Sequence, residues 1–277
     1  MRGTEEALAS LHEDHQLLCA AVREAGKVVL KRYRGRPVRN WAKTDKSPVT
    51  EADLESNVIL KTRLLGARPH YGWLSEECVD NEHRLSTPRV FIVDPIDGTR
   101  AFIDAQPEFT VCAALVEKGE ALAAAVFNPV TDEFFEATIG GGARVNGEPI
   151  TASKQEGLEG ARVLGMKQMF THEGWPRPWP DMKIGYRNST QYRFALVAKG
   201  HYDGALALVR KSDWDVAAGA LIASEAGACV SDHLGASYIF NRPDPCQRAL
   251  VCAAPGLYPA LIERLTHLPE DLRQVRP

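Results

Sequence analysis

The stretch FIVDPIDGTRAF, residues 91–102, constrains this chain more than any other segment. An apolar run leads directly into Asp94 and a proline, and a second acid, Asp97, stands immediately before Gly98 and Thr99. Apolar, β-branched and aromatic residues in sequence predict a buried strand, and the proline restricts the acid before it to an extended backbone. The two carboxylates are therefore predicted to converge at the carboxyl end of this strand, where α/β sheets place their ligands.

Closely spaced carboxylates and a glycine turn together indicate a metal and anion site. Hard oxygen donors suit Mg²⁺ or Mn²⁺, and Gly98 lets the backbone approach a ligand closely. Thr99 can cap a helix that starts at Arg100, and free N–H groups at a helix N-terminus bind phosphate. Asp-Pro and Asp-Gly pairs are also common turn formers, so the segment alone leaves a simple turn open.

Acids elsewhere in the chain favour the site over the turn. Glu76 and Glu77 end a predicted strand, Asp53 stands in a helix N-terminus, and Asp215 opens a helix of small residues. Buried carboxylates are costly unless they are paired or bind a metal. Several acids at the ends of predicted elements therefore predict one shared metal site.

Periodicity and turn signals predict an alternation of helices and strands. The polar residues 1–13 predict an unstructured start, and 35–48 predict a break. Thr50, with Asp53 at the third helical position, predicts a capped helix. The predicted helices are 14–32, one from Thr50 with Leu54, Val58 and Leu65 on one face, 190–200, 213–228 and 257–266. The predicted strands are 73–77, 89–94, 109–117, 121–128 and a hairpin at Asn146-Gly147.

Composition places the chain among ordinary globular proteins. Its 277 residues are 44% hydrophobic and 25% charged with a net charge of -3, which argues against binding nucleic acid or a membrane surface by bulk charge. A composition shift predicts two parts, an N-terminal α+β subdomain (1–150) with the metal and phosphate site and a C-terminal α/β subdomain (151–277) that completes it.

The chain carries neither a long apolar run nor a signal-peptide pattern. No run approaches the roughly 20 apolar residues that span a bilayer, and the first residues lack the apolar core of a signal peptide. The six cysteines are scattered without a C-x-x-C pair, which favours reduced thiols in a cytoplasmic protein.

Four ordered blocks make the chain resemble the inositol-monophosphatase-like, magnesium-dependent, lithium-sensitive phosphatases. The blocks are KTDKSPVTEAD (43–53), WLSEE (73–77), DPIDGTRAF (94–102) and DWDVAAGALIASEAGA (213–228). Ser75 and Ala228 replace glycines of the family pattern. The resemblance spans residues 14–265 and implies a mixed α+β and α/β fold, a layered αβαβα sandwich of the sugar-phosphatase type.

The resemblance also implies roles for individual residues. Metal ligands would be Glu76, Asp94, Asp97 and Asp215 with the Ile96 carbonyl, holding two or three Mg²⁺ ions, with Mn²⁺ possible. Catalysis would use Asp53, Glu76 and Thr99, with Thr99 helping to activate the attacking water. Gly98, Thr99, Ser189, Arg193 and Asp215 would contact the substrate. Lithium inhibition and a homodimer are further implications.

The substrate, a small phosphate ester, stays open among several classes. The region 188–215 resembles bacterial 3'(2'),5'-bisphosphate nucleotidases of the CysQ type, for which Arg187, Arg193, Arg210 and Lys211 are candidates to bind a second phosphate. The Gly-Ser-Ser-x-Lys pattern of those nucleotidases is absent at 188–192. Inositol-1-monophosphatase and histidinol-phosphatase therefore remain alternatives, as does a non-catalytic regulatory or scaffold protein.

Three further features carry expectations of their own. Lys43 is expected either to neutralise charge near the site or to lie on the surface, and Glu77 to support the ligands or to face solvent. His12 and His15 have helical spacing but no third partner in the sequence, so no metal is assigned to them. The loop 171–181, with Trp175 and Trp179 between prolines, is predicted to close partly over the substrate.

Overall fold

The computed structural model describes residues 2–35, 37–44, 47–269 and 272, with side chains from residue 9 onward. The α-helices are α1 (Arg2–Arg34), α2 (Glu51–Ala67), α3 (Thr99–Ile103), α4 (Lys167–Phe170), α5 (Thr190–Ala198), α6 (Ala217–Glu225) and α7 (Tyr258–Leu265). Two 3₁₀ turns cover Glu82–Ser86 and Asp213–Asp215.

The strands are short in the second half of the chain and longer in the first. They are β1 (Asn40–Ala42), β2 (Pro48–Thr50), β3 (Gly72–Ser75), β4 (Arg89–Asp97), β5 (Thr110–Glu117), β6 (Glu120–Asn128), β7 (Glu133–Thr138), β8 (Gly142–Val145), β9 (Glu148–Pro149), β10 (Arg162–Leu164), β11 (Lys183–Gly185), β12 (Gly204–Ala207), β13 (Lys211–Ser212), β14 (Cys229–Ser231), β15 (Cys246–Gln247) and β16 (Leu250–Ala253).

Two mixed sheets organise the molecule. The first has the order β3-β4-β5-β6-β7-β8-β9, with β3 parallel to β4 and the other pairs antiparallel. The second has the order β11-β10-β12-β16-β14, with β10 parallel to both of its neighbours and the remaining pairs antiparallel. The strands β1–β2 and β13–β15 form two small antiparallel pairs.

The layers follow from strands that are apolar on both faces. Along β5 the odd positions, such as Val111 and Leu115, pack under α1 and α2. The even positions, such as Ala114, pack with α5 and α6 between the two sheets. A third apolar cluster lies between the outer face of the second sheet and the helices α4 and α7. Because successive side chains of a strand point to opposite faces, this alternation builds helix, sheet, helix, sheet and helix, and the predicted αβαβα layering is confirmed.

The predicted cap of α2 is confirmed, but its apolar face is not the buried one. The Thr50 hydroxyl accepts hydrogen bonds from the backbone N–H groups of residues 52 and 53, and the Asp53 carboxylate accepts one from the Thr50 N–H. Leu54 and Val58 lie 40% and 61% exposed. The buried face instead carries Ala52, Asp53, Ser56, Asn57, Leu60 and Leu64. Its polar members lie in the first half of the helix, which packs against the end of β4, where the Ser56 hydroxyl donates to the Pro95 carbonyl at 2.9 Å.

The predicted unstructured start is wrong, since α1 begins at Arg2. A buried acid holds this helix: Asp14 is fully buried and accepts bonds from Arg68 (2.7 Å), Tyr71 (2.7 Å) and Arg89 (2.8 Å). Partners so far along the chain leave no local signal in the sequence. The predicted break at 35–48 likewise contains β1, which pairs with β2.

The two tryptophans of the loop 171–181 are anchored to the C-terminal core. Trp175 is 7% exposed, and its indole N–H donates to the Met169 carbonyl at 2.7 Å. Its ring packs edge-on against Trp179 with centroids 5.2 Å apart. The indoles pack in the third apolar cluster, whereas His172 of the same loop lines a cavity together with Tyr186 and Arg193. Closure of the loop over a substrate stays a prediction, and the indoles are not the groups that would cover it.

Two sequence expectations about environment can be compared with the structure. All six cysteines, each within the described part, are free. Among the described residues, none of the helices combines the length and the apolar character that a bilayer crossing requires.

The packing of α1 on β6 predicts opposite effects for two helical glycines. A Cβ on Gly26 would lie 2.3 Å from the Phe127 ring, whereas a Cβ on Gly66 meets nothing within 4 Å. Gly26→Ala is expected to lower the free energy of unfolding by about 1–3 kcal/mol through overpacking. Gly66→Ala is expected to raise it by about 0.5–1 kcal/mol through helix propensity.

Urea unfolding of both variants against the parent chain measures this pair of effects. A stabilised Gly26→Ala variant would show that α1 does not pack on Phe127 as described. Gly66→Ala serves as the matched control, because the same atoms are added to a helix without a facing side chain.

Candidate active site

The turn after β4 requires glycine for two independent reasons. Gly98 has φ 95° and ψ 36°, in the left-handed region, which side chains disfavour. A Cβ there would also lie 2.9 Å from the Glu108 carbonyl oxygen and 3.1 Å from the Ser189 nitrogen. The chain then enters α3 at Thr99, so Gly98, and not Thr99 as predicted, stands at the cap position. The first N–H groups of a helix have no partner within it, and Gly98, Thr99 and Arg100 line the site cavity.

Three aspartates converge beside this turn. One carboxylate oxygen each from Asp94, Asp97 and Asp215 lies within 4.8 Å of the others. Asp94 is 1% exposed; its Oδ1 accepts from the Ile96 N–H at 3.1 Å, and its buried Oδ2 has no hydrogen-bond partner among the described residues. A buried carboxylate oxygen without a donor is costly, and a cation is the partner that it lacks.

The raised pKa values of the clustered aspartates also favour a bound cation. Burial, followed by the charges of Glu76, Asp97 and Asp215, raises the pKa of Asp94 well above its usual value. Burial and then Asp215 raise the pKa of Asp97 to about 6, against the opposing hydrogen bond from Ser189. Like charges held together out of water favour protonation or a divalent cation. A set of hard oxygen donors with one orphaned oxygen fits Mg²⁺.

Asp97 also ties the two halves of the chain together. Its carboxylate accepts from the Ser189 hydroxyl at 2.6 Å and from the backbone N–H groups of Thr190 (3.1 Å) and Gln191 (2.5 Å) at the start of α5. The Gln191 amide then donates to the Trp214 carbonyl at 2.6 Å, next to Asp215. One acid of β4 thereby positions both α5 and the loop that carries Asp215.

Lys43 bridges the two acids that follow β3. Its ammonium donates to Glu76 Oε1 at 2.8 Å and to Glu77 Oε1 at 2.6 Å. Burial raises the pKa of Glu76 to about 7, although Lys43 opposes this shift. Glu76 lines the site cavity but stays outside the group of three within 4.8 Å. Of the two roles considered for Lys43, the structure supports charge neutralisation at the site.

Thr99 and Asp53 form a buried pair behind the turn. The Thr99 hydroxyl lies 3.1 Å from Asp53 Oδ1 and 3.0 Å from the Ile96 carbonyl. The other Asp53 oxygen accepts from the Thr50 N–H at 2.8 Å. Burial raises the pKa of Asp53 to about 6, and the Thr50 hydrogen bonds oppose that shift. The helix cap predicted from the sequence thus holds the predicted catalytic acid.

A cavity of about 220 Å³ lies over these groups. A second, mainly apolar cavity of about 260 Å³ lies beside it, and Tyr186, Arg193 and Lys211 line both. The Arg193 guanidinium stacks 4.6 Å from the centre of the Tyr186 ring. No sequence pattern predicts Tyr186 as a site residue or the second cavity, because the residues that line this cavity come from separate segments of the chain.

Three of the residues predicted to contact the substrate lie elsewhere. Ser189 is fully buried and bonded to Asp97, so it acts on the site through that acid. Arg187 pairs with Glu108 at 3.2 Å, and Arg210 pairs with Asp244 at 2.6 Å outside both cavities. Arg193 and Lys211 are therefore the two candidate cations that reach the site cavity.

Without a divalent cation, the stability of the folded chain is expected to fall as the pH rises. Glu76 and Asp97 have folded pKa values of about 7 and about 6, above their usual 4.5 and 3.8. The folded state therefore binds more protons than the unfolded chain between those values, and stability is lost as the pH rises through them. Thermal unfolding in chelator from pH 5 to pH 8 measures the slope, which Mg²⁺ is expected to flatten.

Asp94→Asn is the variant that tests this interpretation. At pH 8 in chelator it is expected to raise the free energy of unfolding by about 1–3 kcal/mol, because it removes a repelled, buried charge. The exposed Asp104→Asn is the control and should change little. Loss of stability in Asp94→Asn without cation would contradict the assigned repulsion.

Comparison with known proteins finds a characterised group that is similar along most of the chain. The model of the inositol monophosphatase family matches residues 10–270. A histidinol-phosphatase of Chlorobaculum parvum is 31% identical over 242 residues, covering 82% of this chain and 89% of the relative. An inositol-1-monophosphatase of Rhizobium meliloti is 33% identical over 235 residues, covering 79% and 85%.

A nucleotidase and a solved structure extend the comparison. The 3'(2'),5'-bisphosphate nucleotidase CysQ of Escherichia coli is 31% identical over 224 residues, covering 79% of this chain and 90% of the relative. The structure of a Thermotoga maritima IMPase superposes with a TM-score of 0.78 at 27% identity, covering 92% of this chain and 97% of the other. Relatives with three different substrates thus match at nearly equal identity.

Proposed function

The chain belongs to the inositol monophosphatase family, a family of phosphomonoesterases, and from that premise we propose that it hydrolyses 3'-phosphoadenosine 5'-phosphate to AMP and phosphate. The observation that carries the choice of substrate is the apolar cavity beside the carboxylate cavity, because Arg193 and Lys211 line both. The hydrolysis itself is supported by the three converging aspartates.

The acids after β3, at the end of β4 and in the 3₁₀ turn before α6 would hold the cation. Mg²⁺, in two or three ions and replaceable by Mn²⁺, would be bound by Glu76, Asp94, Asp97, Asp215 and the Ile96 carbonyl. When bound, the cation lowers the pKa of water and stabilises charge on the leaving oxygen. The orphaned Asp94 oxygen is the observation that supports this set.

The chain's own groups would bind the phosphate and orient the attacking water. The backbone N–H groups of Gly98 and Thr99 stand at a helix start, which suits an anion. The Thr99 hydroxyl donates to Asp53, so its lone pairs are left to accept a hydrogen bond from water. Asp53, with a pKa of about 6, is a suitable final acceptor for the water proton, and Glu76 contributes a second carboxylate.

The second cavity favours a nucleotide over a polyol as the leaving group. Met169, Leu206 and Leu208 line it, and the hydroxyl groups of inositol would lose their hydrogen bonds to water there without replacement. A heteroaromatic base instead buries apolar area and stacks on Tyr186. Arg193 and Lys211 provide the positive charge that the second phosphate of a bisphosphate requires.

Further properties belong to the same proposal. Inhibition by lithium and a homodimeric assembly follow from the family resemblance, and a cytoplasmic location follows from the scattered cysteines. The division of the chain near residue 150 is also proposed: Asp53 and Thr99 come from the first part, and Asp215 and Arg193 from the second, so the site would need both.

Phosphate release from three substrates tests the proposal. Turnover of 3'-phosphoadenosine 5'-phosphate is expected to exceed that of inositol 1-phosphate and histidinol phosphate by at least about 10-fold in kcat/KM. Lithium should inhibit it, and Asp94→Asn should lower kcat by at least about 100-fold, since the cation loses a ligand.

Each other outcome of that assay has a distinct meaning. Preference for either other substrate would retain the phosphatase and refute the nucleotide. Absence of turnover for a wider panel of phosphate esters, with Mg²⁺ present, would favour the regulatory protein.

A polar substitution in the apolar cavity tests the placement of the base. Leu208→Gln is expected to raise KM for the adenosine bisphosphate by about 5–50-fold, because an apolar contact is replaced by an unpaired amide. KM for inositol 1-phosphate should change less than threefold. Leu234→Gln, at a position 60% exposed, is the matched control. Equal effects on both substrates would contradict the assignment of the cavity.

A further inference from the structure

A second group of potential metal ligands lies between α1 and the first sheet. His15 and Cys19 are four residues apart on α1, so they share a face. Glu136 of β7 faces them from the sheet. None of the three lines the active-site cavity. This cluster is therefore separate from the candidate active site.

The three donor atoms form a nearly equilateral triangle. Cys19 Sγ lies 3.3 Å from His15 Nε2 and 3.3 Å from Glu136 Oε2, and the His15 nitrogen lies 3.5 Å from the same oxygen. Donors arranged tetrahedrally around Zn²⁺ at about 2.0–2.3 Å are separated by about 3.3–3.7 Å. The described triangle has the size of one face of that tetrahedron.

Hydrogen bonding accounts for only part of this arrangement. The thiol carries one proton, the ring nitrogen carries at most one when the imidazole is neutral, and an ionised carboxylate carries none. Two protons can serve two edges of the triangle, yet all three edges are short. A single cation above the triangle would contact all three atoms at once.

The surroundings are compatible with a divalent cation. Burial lowers the pKa of His15, which favours the neutral ring that binds metals. Burial, and then Glu136, raises the pKa of Cys19; a divalent cation would offset both effects on the thiolate. The charged groups that face the cluster are His12, one turn earlier, and Arg23, whose guanidinium lies 3.5 Å from the centre of the Phe134 ring.

We propose that His15, Cys19 and Glu136 form a Zn²⁺ site with solvent in the fourth position. Nitrogen, thiolate and carboxylate donors together select a borderline cation over Mg²⁺. The bound ion would connect α1 to β7 and would stabilise their packing. This proposal replaces the sequence expectation that assigned no metal to His15. The pattern of histidines could not indicate the site, because Cys19 and Glu136 are 117 residues apart in the chain.

Cobalt titration of the full-length, metal-stripped protein tests this site, with Mg²⁺ present to fill the carboxylate cluster. One equivalent of Co²⁺ is expected to bind with thiolate charge-transfer absorption, which a site made only of carboxylates lacks. Zn²⁺ should displace it. Cys19→Ser should abolish the absorption, and Cys229→Ser, at a half-buried cysteine outside the cluster, should retain it.

Two further variants keep the test decisive if Cys19→Ser fails to fold. Glu136→Gln and His15→Asn alter partly exposed side chains and are each expected to weaken Co²⁺ binding at least about 10-fold. Absence of thiolate absorption in the parent protein would overturn the proposal. So would absorption that persists in folded Cys19→Ser, or unchanged affinity in both other variants.

Discussion

The buried carboxylates at the end of β4 repel one another, and the positions of α5 and of the segment that carries Asp215 are linked to the groups that compensate this repulsion. One carboxylate oxygen each from Asp94, Asp97 and Asp215 lies within 4.8 Å of the others, and Asp94 and Asp97 are buried. Such an arrangement opposes folding unless donors or cations compensate it. The chain supplies donors to Asp97 from the start of α5 but leaves one oxygen of Asp94 without any. The unsatisfied oxygen is a position at which the fold gives up stability.

The layered fold explains how that cluster can be tolerated. Strands that are apolar on both faces bury one helix pair beneath the first sheet and another between the sheets. The acids lie where β4 ends and the chain turns through Gly98, so they meet helix N–H groups rather than apolar side chains. Asp97 then couples the two halves, since the groups that compensate its charge belong to the second half of the chain. The hydrogen bonds to Asp97 therefore fix the geometry of the site and also hold the two halves of the chain together.

The same physical argument distinguishes the two candidate metal centres. The active-site cluster offers only oxygen donors and suits a hard cation. The group at His15, Cys19 and Glu136 offers three different donor types and suits a borderline one. Charge-transfer absorption of bound Co²⁺ distinguishes the two centres, because only the group at His15, Cys19 and Glu136 contains a thiolate.

The local features could be read from the sequence: the strand that carries Asp94, the glycine turn at 98, the cap at Thr50 and the acids that would bind metal. Each of these depends on neighbours within a few residues, so each leaves a readable pattern. The packing of distant elements brings Asp14 to Arg68, Tyr71 and Arg89. It also places Arg193 but not Arg210 at the site cavity and Glu136 beside Cys19. Those outcomes depend on which distant strands and helices pack together, and contacts across a hundred residues leave no periodic signal in the chain.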